Sequence, residues 1–216
     1  MTEAAVRPDT KQKILDTAER LFGEHGIHAT SLRHIIAEAN VNLAAIHYHF
    51  QSKEALLEAV LLRRIGAVNR MRLVRLDVYE AGGRVPTVEE ILDCFLTPVF
   101  DAIEQSDGRQ FARFIGRVQT ESSDLIPKMF AGQFRPVLDR FLAALRRTLP
   151  ELDAEDLMWR VFFGIGAMAY TLTQGEKIVP MFTHDQTTGD LREASWRLIQ
   201  FLAAGFRASQ TPRALP

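Results

Sequence analysis

The sequence predicts an all-α fold, and three observations lead to this prediction. Apolar residues recur at intervals of three and four along most of the chain, as they do on one face of an α-helix. No stretch alternates between apolar and polar residues long enough to make a convincing strand. Apolar residues make up 47% of the 216 residues, which is sufficient for a substantial buried core.

Two helices are predicted at the start of the chain. In the stretch KQKILDTAERLFGEHG the apolar residues form one helical stripe, made of Ile14, Leu15, Ala18, Leu21 and Phe22. Gly26 is placed to end this helix. Thr30 or Ser31 can then cap a second helix, whose shared apolar face consists of Leu32, Ile35, Ile36 and Ala39.

A short third helix and a long fourth helix follow. Asn42 is a good N-cap for a third helix from Leu43 to Phe50, and Ser52 can cap a fourth. The fourth helix can extend from Lys53 to about Tyr79, where the pair Gly82–Gly83 follows. Further helices are predicted near Thr87 to Gln105, Gly108 to Ser122, Ile126 to Thr148, Ala154 to Gln174 and Thr188 to Ala208.

The third helix has the features of the second helix of a helix-turn-helix. About eight residues are too few for a stable isolated helix, so its neighbours must hold it. Ile46 and Phe50 are four residues apart and can anchor it, which leaves its other face free to enter a major groove of DNA. We therefore expect a helix-turn-helix domain at 8–68, with the motif itself at 31–50, joined through the long fourth helix to a second domain at 69–208.

Two cations lie where a helix dipole disfavours them. Arg33 is in the first turn of the second helix and Lys53 in the first turn of the fourth. A bound phosphate would make this placement favourable, because the helix N-terminal amides and the nearby cation would then both attract the same anion. The alternative is a solvated surface lysine. Residues 1–75 carry 11 Lys and Arg against 8 Asp and Glu, which also favours a polyanionic partner.

Three motifs resemble the DNA-binding region of the TetR family of bacterial transcriptional regulators: AERLFGEHG, TSLRHIIAEANV and IHYHFQSKEALL. Matched position by position, the resemblance implies DNA contacts by Thr30, Ser31, His47, Tyr48, His49 and Lys53. The helix starts and the free face of the third helix add Arg33, Asn42, Leu43 and Ala44. The family often has Tyr in place of His47 and Gly in place of Asn40, so the base preference does not carry over.

The resemblance also implies a C-terminal ligand-binding domain that forms a homodimer through its last two helices. Gly164, Gly166, Ala167 and Ala169 give the first of these helices a small-residue surface, for which packing within the chain is the alternative. A pocket could be lined by Phe95, Phe111, Phe114, Phe130, Phe134, Phe163, Met168 and Tyr170, although each could equally be core. Similar regulators respond to fatty acids or their CoA esters, which suggests that class of effector.

Enzyme motifs are absent from the sequence. It contains no G-x-S-x-G, no P-loop and no H-E-x-x-H. His47 and His49 point to nearly opposite sides of a helix and make a poor metal pair, and neither a metal nor a cofactor is expected. The single cysteine, Cys94, can form no internal disulfide, and without a signal sequence or a long apolar run a cytoplasmic location is expected.

Together these features predict a ligand-responsive, sequence-specific regulator of transcription. It would act as a repressor that a small apolar or amphipathic molecule releases from a near-palindromic operator. The rival hypothesis is a helical ligand-binding protein or enzyme in which the helix-turn-helix is incidental.

Overall fold

A computed structural model describes residues 8–105, 108–121, 125–183 and 190–209, and it confirms the all-α prediction. These residues form no strand. Their nine helices are α1 Pro8–His25, α2 Leu32–Ala39, α3 Leu43–His49, α4 Lys53–Ala81, α5 Val88–Glu104, α6 Gly108–Thr120, α7 Leu125–Thr148, α8 Ala154–Thr183 and α9 Leu191–Arg207.

The predicted helix ends are confirmed near the start of the chain. Gly26 follows α1 with a φ of +91°, a conformation that favours glycine. The side chain of Ser31, rather than that of Thr30, caps α2 by accepting a hydrogen bond from the His34 amide at 3.2 Å. Asn42 accepts from the Ala45 amide at 2.8 Å, and Ser52 accepts from the Ala55 amide at 3.1 Å.

The predicted end of α8 is wrong. We expected this helix to stop at Gln174, but it continues for nine more residues to Thr183. Gly175 follows the predicted end, but a glycine inside a helix costs only about 1 kcal/mol relative to alanine and does not by itself end one. Although α8 spans 30 residues, no helix in the described part of the chain is long and apolar enough to cross a membrane.

The described residues divide into two compact units. The first unit takes those up to residue 67 together with those between 105 and 134. The second takes those between 68 and 104 together with those from 135 onward. The chain therefore passes from one unit to the other inside α4, and α6 belongs to the first unit although it follows α5 of the second.

In the first unit, α1 is the central helix, and α2, α3 and α6 pack on it. The rings of Phe22 and Phe114 stack with centroids 6.4 Å apart. Gly23 allows α6 to approach closely, because a Cβ at this position would lie 3.3 Å from the Phe114 backbone nitrogen. Members of this core with almost no exposed surface include Ile14, Ala18, Leu21, Phe22, Ile35, Ile46, Leu56 and Phe114.

A buried ion pair holds α1 to the start of α4. The Glu19 side chain is fully buried, and its carboxylate accepts hydrogen bonds from Arg63 at 2.5 Å and from Arg64 at 2.9 Å. Arg63 also pairs with the exposed Asp16 at 2.6 Å. Because the carboxylate is out of water, these two guanidinium groups are its only compensation among the described residues.

In the second unit, α9 packs on both α5 and α8. Arg160 of α8 donates to the carbonyls of Gly205, Phe206 and Ala208, each at 2.8 Å. These carbonyls lie at the C-terminal end of α9, where a cation is favoured by the helix dipole. The buried side chains that form this core include Ile91, Leu96, Phe100, Ala144, Leu157, Ala203 and Phe206.

We expect Glu19→Gln to lower the free energy of unfolding by about 3 to 5 kcal/mol, because it removes the buried carboxylate charge that pairs with Arg63 and Arg64. Chemical denaturation followed by circular dichroism measures this loss. Glu24→Gln is the matched control, since Glu24 is partly exposed and pairs with Arg20 at 3.1 Å, and it should cost less than about 1 kcal/mol. Equal effects of the two substitutions would contradict the role given to Glu19.

Candidate nucleic-acid interface and apolar cavity

The turn between α2 and α3 depends on a left-handed asparagine. Asn40 has a φ of +49°, and its amide donates to the Ala37 carbonyl while the Val41 amide donates to the Ile36 carbonyl. Asparagine tolerates this conformation better than other residues with a Cβ, which explains how it can replace the glycine found in related motifs. The turn therefore closes α2 and leads within two residues to the cap of α3.

Helix α3 is anchored on one side and open on the other. Ile46 is fully buried and Phe50 is 5% exposed, and α3 packs on both α1 and α2. Leu43, Ala44, His47 and Tyr48 are exposed, and Tyr48 shows 73% of its surface. We call these four residues the outer face of α3. These side chains are accessible to another molecule, and α3 contains no acidic residue that would repel a phosphate.

Most of the other predicted DNA contacts are also accessible. Ser31, Arg33 and Asn42 are exposed, and Lys53 is half-buried. His49 is half-buried beside the rings of Tyr48 and Phe50, with its Nε2 buried and without a hydrogen-bond partner. His49 therefore lies at the edge of the outer face and not on it.

Thr30 does not share this surface. It is fully buried, and its hydroxyl donates to the Gly26 carbonyl at 2.8 Å and to the Leu21 carbonyl at 3.1 Å. Both bonds close the loop between α1 and α2. The structure thus gives Thr30 a role in holding the loop, and Ser31 is the exposed member of the pair.

The loop before α2 is fixed by a residue that sequence reasoning missed. The Glu121 carboxylate accepts from the Ile27 amide at 2.8 Å and from the His28 amide at 2.9 Å. Lys53 donates to the His28 carbonyl at 3.4 Å, so it also serves this loop. Glu121 follows α6, more than 90 residues along the chain from its partners, and no local pattern indicates such a contact.

Much of the positive charge predicted to attract a polyanion is used inside the protein. At least five of the eleven cations in residues 1–75 are paired or buried, namely Arg20, Arg63, Arg64, Arg72 and Arg75. Arg33 is exposed beside the start of α2, and Lys53 lies at the start of α4. Attraction to a phosphate backbone therefore depends on a few cations placed at helix starts and not on a broad basic surface.

An apolar cavity of about 30 Å³ lies in the second unit among α5, α7, α8 and α9. This volume admits little more than a water molecule, so a larger guest requires side chains to move. The lining is entirely hydrophobic: Ile91, Leu92, Phe95, Leu96, Leu138, Phe141, Leu142, Leu145, Val161, Gly164, Ile165, Leu202 and Phe206.

Of the predicted pocket residues whose side chains the structure describes, Phe95 alone lines this cavity. Phe111 and Phe114 belong instead to the core of the first unit, because α6 packs on α1. Phe163 and Tyr170 are each 61% exposed. Of the remaining predicted residues, Phe134 is half-buried outside the lining, Met168 is buried beside Arg72, and the Phe130 side chain lies outside the described residues.

A buried arginine lies behind one wall of the cavity, and sequence reasoning missed it as well. Arg72 of α4 is 1% exposed, and its guanidinium carbon is 4.1 Å from the centroid of the Phe95 ring. Burial lowers the pKa of the Arg72 guanidinium from 12.5 to about 9. Its hydrogen bonds go to the Phe95 carbonyl at 2.7 Å, the Asn69 amide oxygen at 3.0 Å and the Met168 sulfur at 4.0 Å.

Helices α8 and α9 carry exposed aromatic side chains. Trp159, Phe162 and Phe163 contact one another with ring centroids 5.7 to 6.5 Å apart, and Trp196 and Phe201 of α9 are also exposed. We call these five residues the aromatic patch. Exposed apolar side chains that contact one another often mark a surface used in protein association.

Of the small residues of α8, Gly164 and Ala169 are buried within the chain and Gly166 is exposed. Gly164 is buried, and a Cβ there would lie 3.5 Å from Leu202 of α9, while Ala169 is also buried. Gly166 is exposed, and a Cβ there would meet nothing within 4 Å. Packing within the chain accounts for the first two positions, and Gly166 remains available to a partner.

Among the described side chains, no group of three or more His, Cys, Asp or Glu residues could hold a metal ion.

Comparison with known proteins agrees with this architecture. A sequence model described as "Bacterial regulatory proteins, tetR family" matches residues 14–60, which cover α2 and α3. A second model, "Tetracyclin repressor-like, C-terminal domain", matches residues 93–205, more than half of the chain.

Single relatives show the same likeness. The chain is 30% identical over 127 residues to the probable HTH-type transcriptional regulator YttP of Bacillus subtilis, an alignment that covers 58% of each chain. It therefore spans less than two thirds of that relative's length.

Solved structures share the fold at low sequence identity. The fatty acid degradation regulator FadR of Bacillus halodurans is 17% identical with a TM-score of 0.65, covering 94% of this chain and 99% of FadR. A SmeT–triclosan complex is 20% identical with a TM-score of 0.60, covering 96% and 99%. The two sequence models, with the helix-turn-helix geometry, confirm the predicted resemblance: the chain belongs to the TetR family of bacterial regulatory proteins.

Proposed function

We propose that this protein is a sequence-specific DNA-binding regulator of transcription whose affinity for its operator is controlled by a small molecule. The observation that carries the proposal is the outer face of α3, which a seven-residue helix presents to solvent while Ile46 anchors the opposite side. A helix of this kind fits a major groove, where side chains can reach base edges. Ser31, Arg33, Asn42 and Lys53 would hold the phosphate backbone beside it.

The direct test is selection of bound fragments from the source genome by the purified chain. We expect enrichment of a few short, near-palindromic sites. The proposed location of the protein is the cytoplasm, where a bacterial transcription regulator would bind such DNA. Retention of all fragments alike, or of none, would favour the rival hypothesis of a helical ligand-binding protein or enzyme. No placed catalytic group among the described residues gives that rival independent support.

The proposed regulator acts as a homodimer through α8 and α9. The aromatic patch and the open surface at Gly166 support this arrangement, because both suit close contact with a second copy of the same helices. A two-fold axis would place two α3 helices in successive major grooves, about 34 to 36 Å apart or somewhat more. That spacing is the physical reason to expect a near-palindromic operator.

We propose functional domain limits at 8–68 and 69–208, and within the latter range we assign effector binding to the second unit. Its apolar cavity suits an apolar or amphipathic molecule, and the names of FadR and of the SmeT–triclosan complex associate relatives of this fold with such compounds. Helix α4 begins beside α3 and continues into this unit, so a change in its position can reach the DNA-binding helices. A tenfold loss of DNA affinity needs about 1.4 kcal/mol of coupling.

We expect Lys53→Ala to weaken binding to all DNA sequences alike and to reduce the slope of log K against log salt by about one unit, since one phosphate contact is lost. Fluorescence anisotropy at several salt concentrations measures both effects. Arg70→Ala is the control, because Arg70 is an exposed cation of the second unit and its loss should leave the slope unchanged. An unchanged slope for Lys53→Ala would remove Lys53 from the phosphate contacts.

Substitutions on the outer face should change sequence preference instead. Tyr48→Ala and His47→Ala are expected to reduce discrimination between the operator and its single-base variants by about 1 to 3 kcal/mol per lost base contact. Competition binding with a panel of variant duplexes measures this. Val78→Ala, which trims an exposed side chain of the second unit, should leave the ranking of duplexes intact. The same ranking for all three variants would show that α3 does not read bases.

We expect Phe162→Asp and Trp196→Asp to convert a dimer into a monomer, because each places a charge in a desolvated apolar contact. Light scattering at micromolar concentration measures the mass. Val74→Asp is the control, since Val74 is 57% exposed on α4 and lies outside the aromatic patch. A wild-type chain that is already monomeric, or patch variants that stay dimeric, would contradict the interface.

A further inference from the structure

The second unit contains a cation that no described side chain neutralises. Arg72 is 1% exposed, and none of its contacts within the described residues is to a carboxylate. By comparison Arg75, one turn later on α4, pairs with Asp93 and Asp101 at the surface. Charges are almost never left buried without a partner, because the loss of hydration is not repaid.

The hydrogen bonds of Arg72 leave part of its guanidinium unused. One N–H donates to the Phe95 carbonyl, one to the Asn69 side chain, and a third faces only the sulfur of Met168, a weak acceptor. A guanidinium has five N–H groups, so two have no acceptor among the described residues. A bound anion would accept hydrogen bonds from these two N–H groups and neutralise the charge of Arg72.

The Phe95 ring is shared between this cation and the cavity. The guanidinium carbon lies 4.1 Å from the ring centroid, and the same ring lines the cavity in edge contact with Phe141, 5.0 Å away. A turn of the Phe95 side chain would therefore enlarge the cavity and open it to Arg72. The result would be an apolar chamber with one buried positive charge in its wall.

We propose that the second unit binds a small molecule with a single carboxylate on an apolar body, the carboxylate paired with Arg72 and the body filling the cavity in place of the Phe95 ring. The inference rests on the proposed effector domain and specifies the class of its ligand. A bidentate guanidinium–carboxylate pair uses the free donors and neutralises the charge. A phosphate dianion would leave an excess negative charge among the entirely hydrophobic lining, so a monoanion fits better.

The first experiment uses the wild-type chain without DNA, so that its outcome does not depend on operator binding. Three probes share one apolar body and differ in their head group: octanoate, 1-octanol and octylammonium. Isothermal titration calorimetry at neutral pH should show octanoate binding at least tenfold more tightly than 1-octanol, with no measurable binding of octylammonium. Equal affinity of octanoate and 1-octanol, or preference for the alcohol, would overturn the proposal.

The second experiment assigns the charge to Arg72. In Arg72→Met the affinity for octanoate should fall to that of 1-octanol, and the apo protein should melt at the same or a higher temperature, because a buried unpaired cation has been removed. Arg75→Met, the matched control on the same helix, should keep the octanoate preference. Retention of that preference by Arg72→Met would show that the carboxylate binds elsewhere.

Should Arg72→Met not fold, the wild-type chain still decides the question. The Nε–H signal of a buried arginine is separate from those of exposed arginines in a nitrogen–proton correlation spectrum, and Arg72→Lys identifies it. Octanoate should shift this signal in proportion to occupancy, and 1-octanol should not. Binding of octanoate with no change in the Arg72 signal would overturn the proposal, while failure of DNA binding alone would leave it standing.

Discussion

A helix of seven residues cannot hold itself together in water, and this constraint organises the first unit. Helix α3 persists because Ile46 is completely buried against its neighbours and because Asn42 caps it. Helices α2 and α3 both pack on α1, and the buried carboxylate of Glu19 joins α1 to α4. Because α3 is buried only along the side that carries Ile46, its outer face stays exposed and can contact a major groove.

Local chemistry predicted this part of the fold, while long-range contacts could not be predicted. The caps at Asn42 and Ser52 and the anchor at Ile46 follow from side-chain type and helical spacing, and all are present. The bonds from the amides of the loop before α2 to Glu121 join residues more than 90 positions apart, so no sequence pattern indicates them. The residues predicted to line a pocket lie in both units for the same reason, since helical periodicity marks an aromatic residue as apolar without showing which helix it faces.

The second unit carries two features that its own core does not satisfy. The aromatic patch leaves large apolar side chains in water, and Arg72 leaves a charge out of water. In our proposals a second copy of the chain covers the first and an anion pairs with the second, and neither partner can substitute for the other. Helix α4 begins in the first unit at Lys53 and carries Arg72 in the second, so in our proposal ligand binding and DNA binding act on the same helix. The burial of Arg72 could not be predicted from the sequence, because arginines on a long helix are usually exposed to solvent.

The central claim is that the outer face of α3 lies in the major groove of DNA in each half of a two-fold complex. Dimethyl sulfate protection on a selected operator tests it directly, since the reagent methylates guanine N7 in the major groove and adenine N3 in the minor groove. We predict protection of guanines in two half-sites about one helical turn apart or somewhat more, with adenine N3 between them still reactive. Unprotected guanines, or protection confined to adenine N3, would contradict this account.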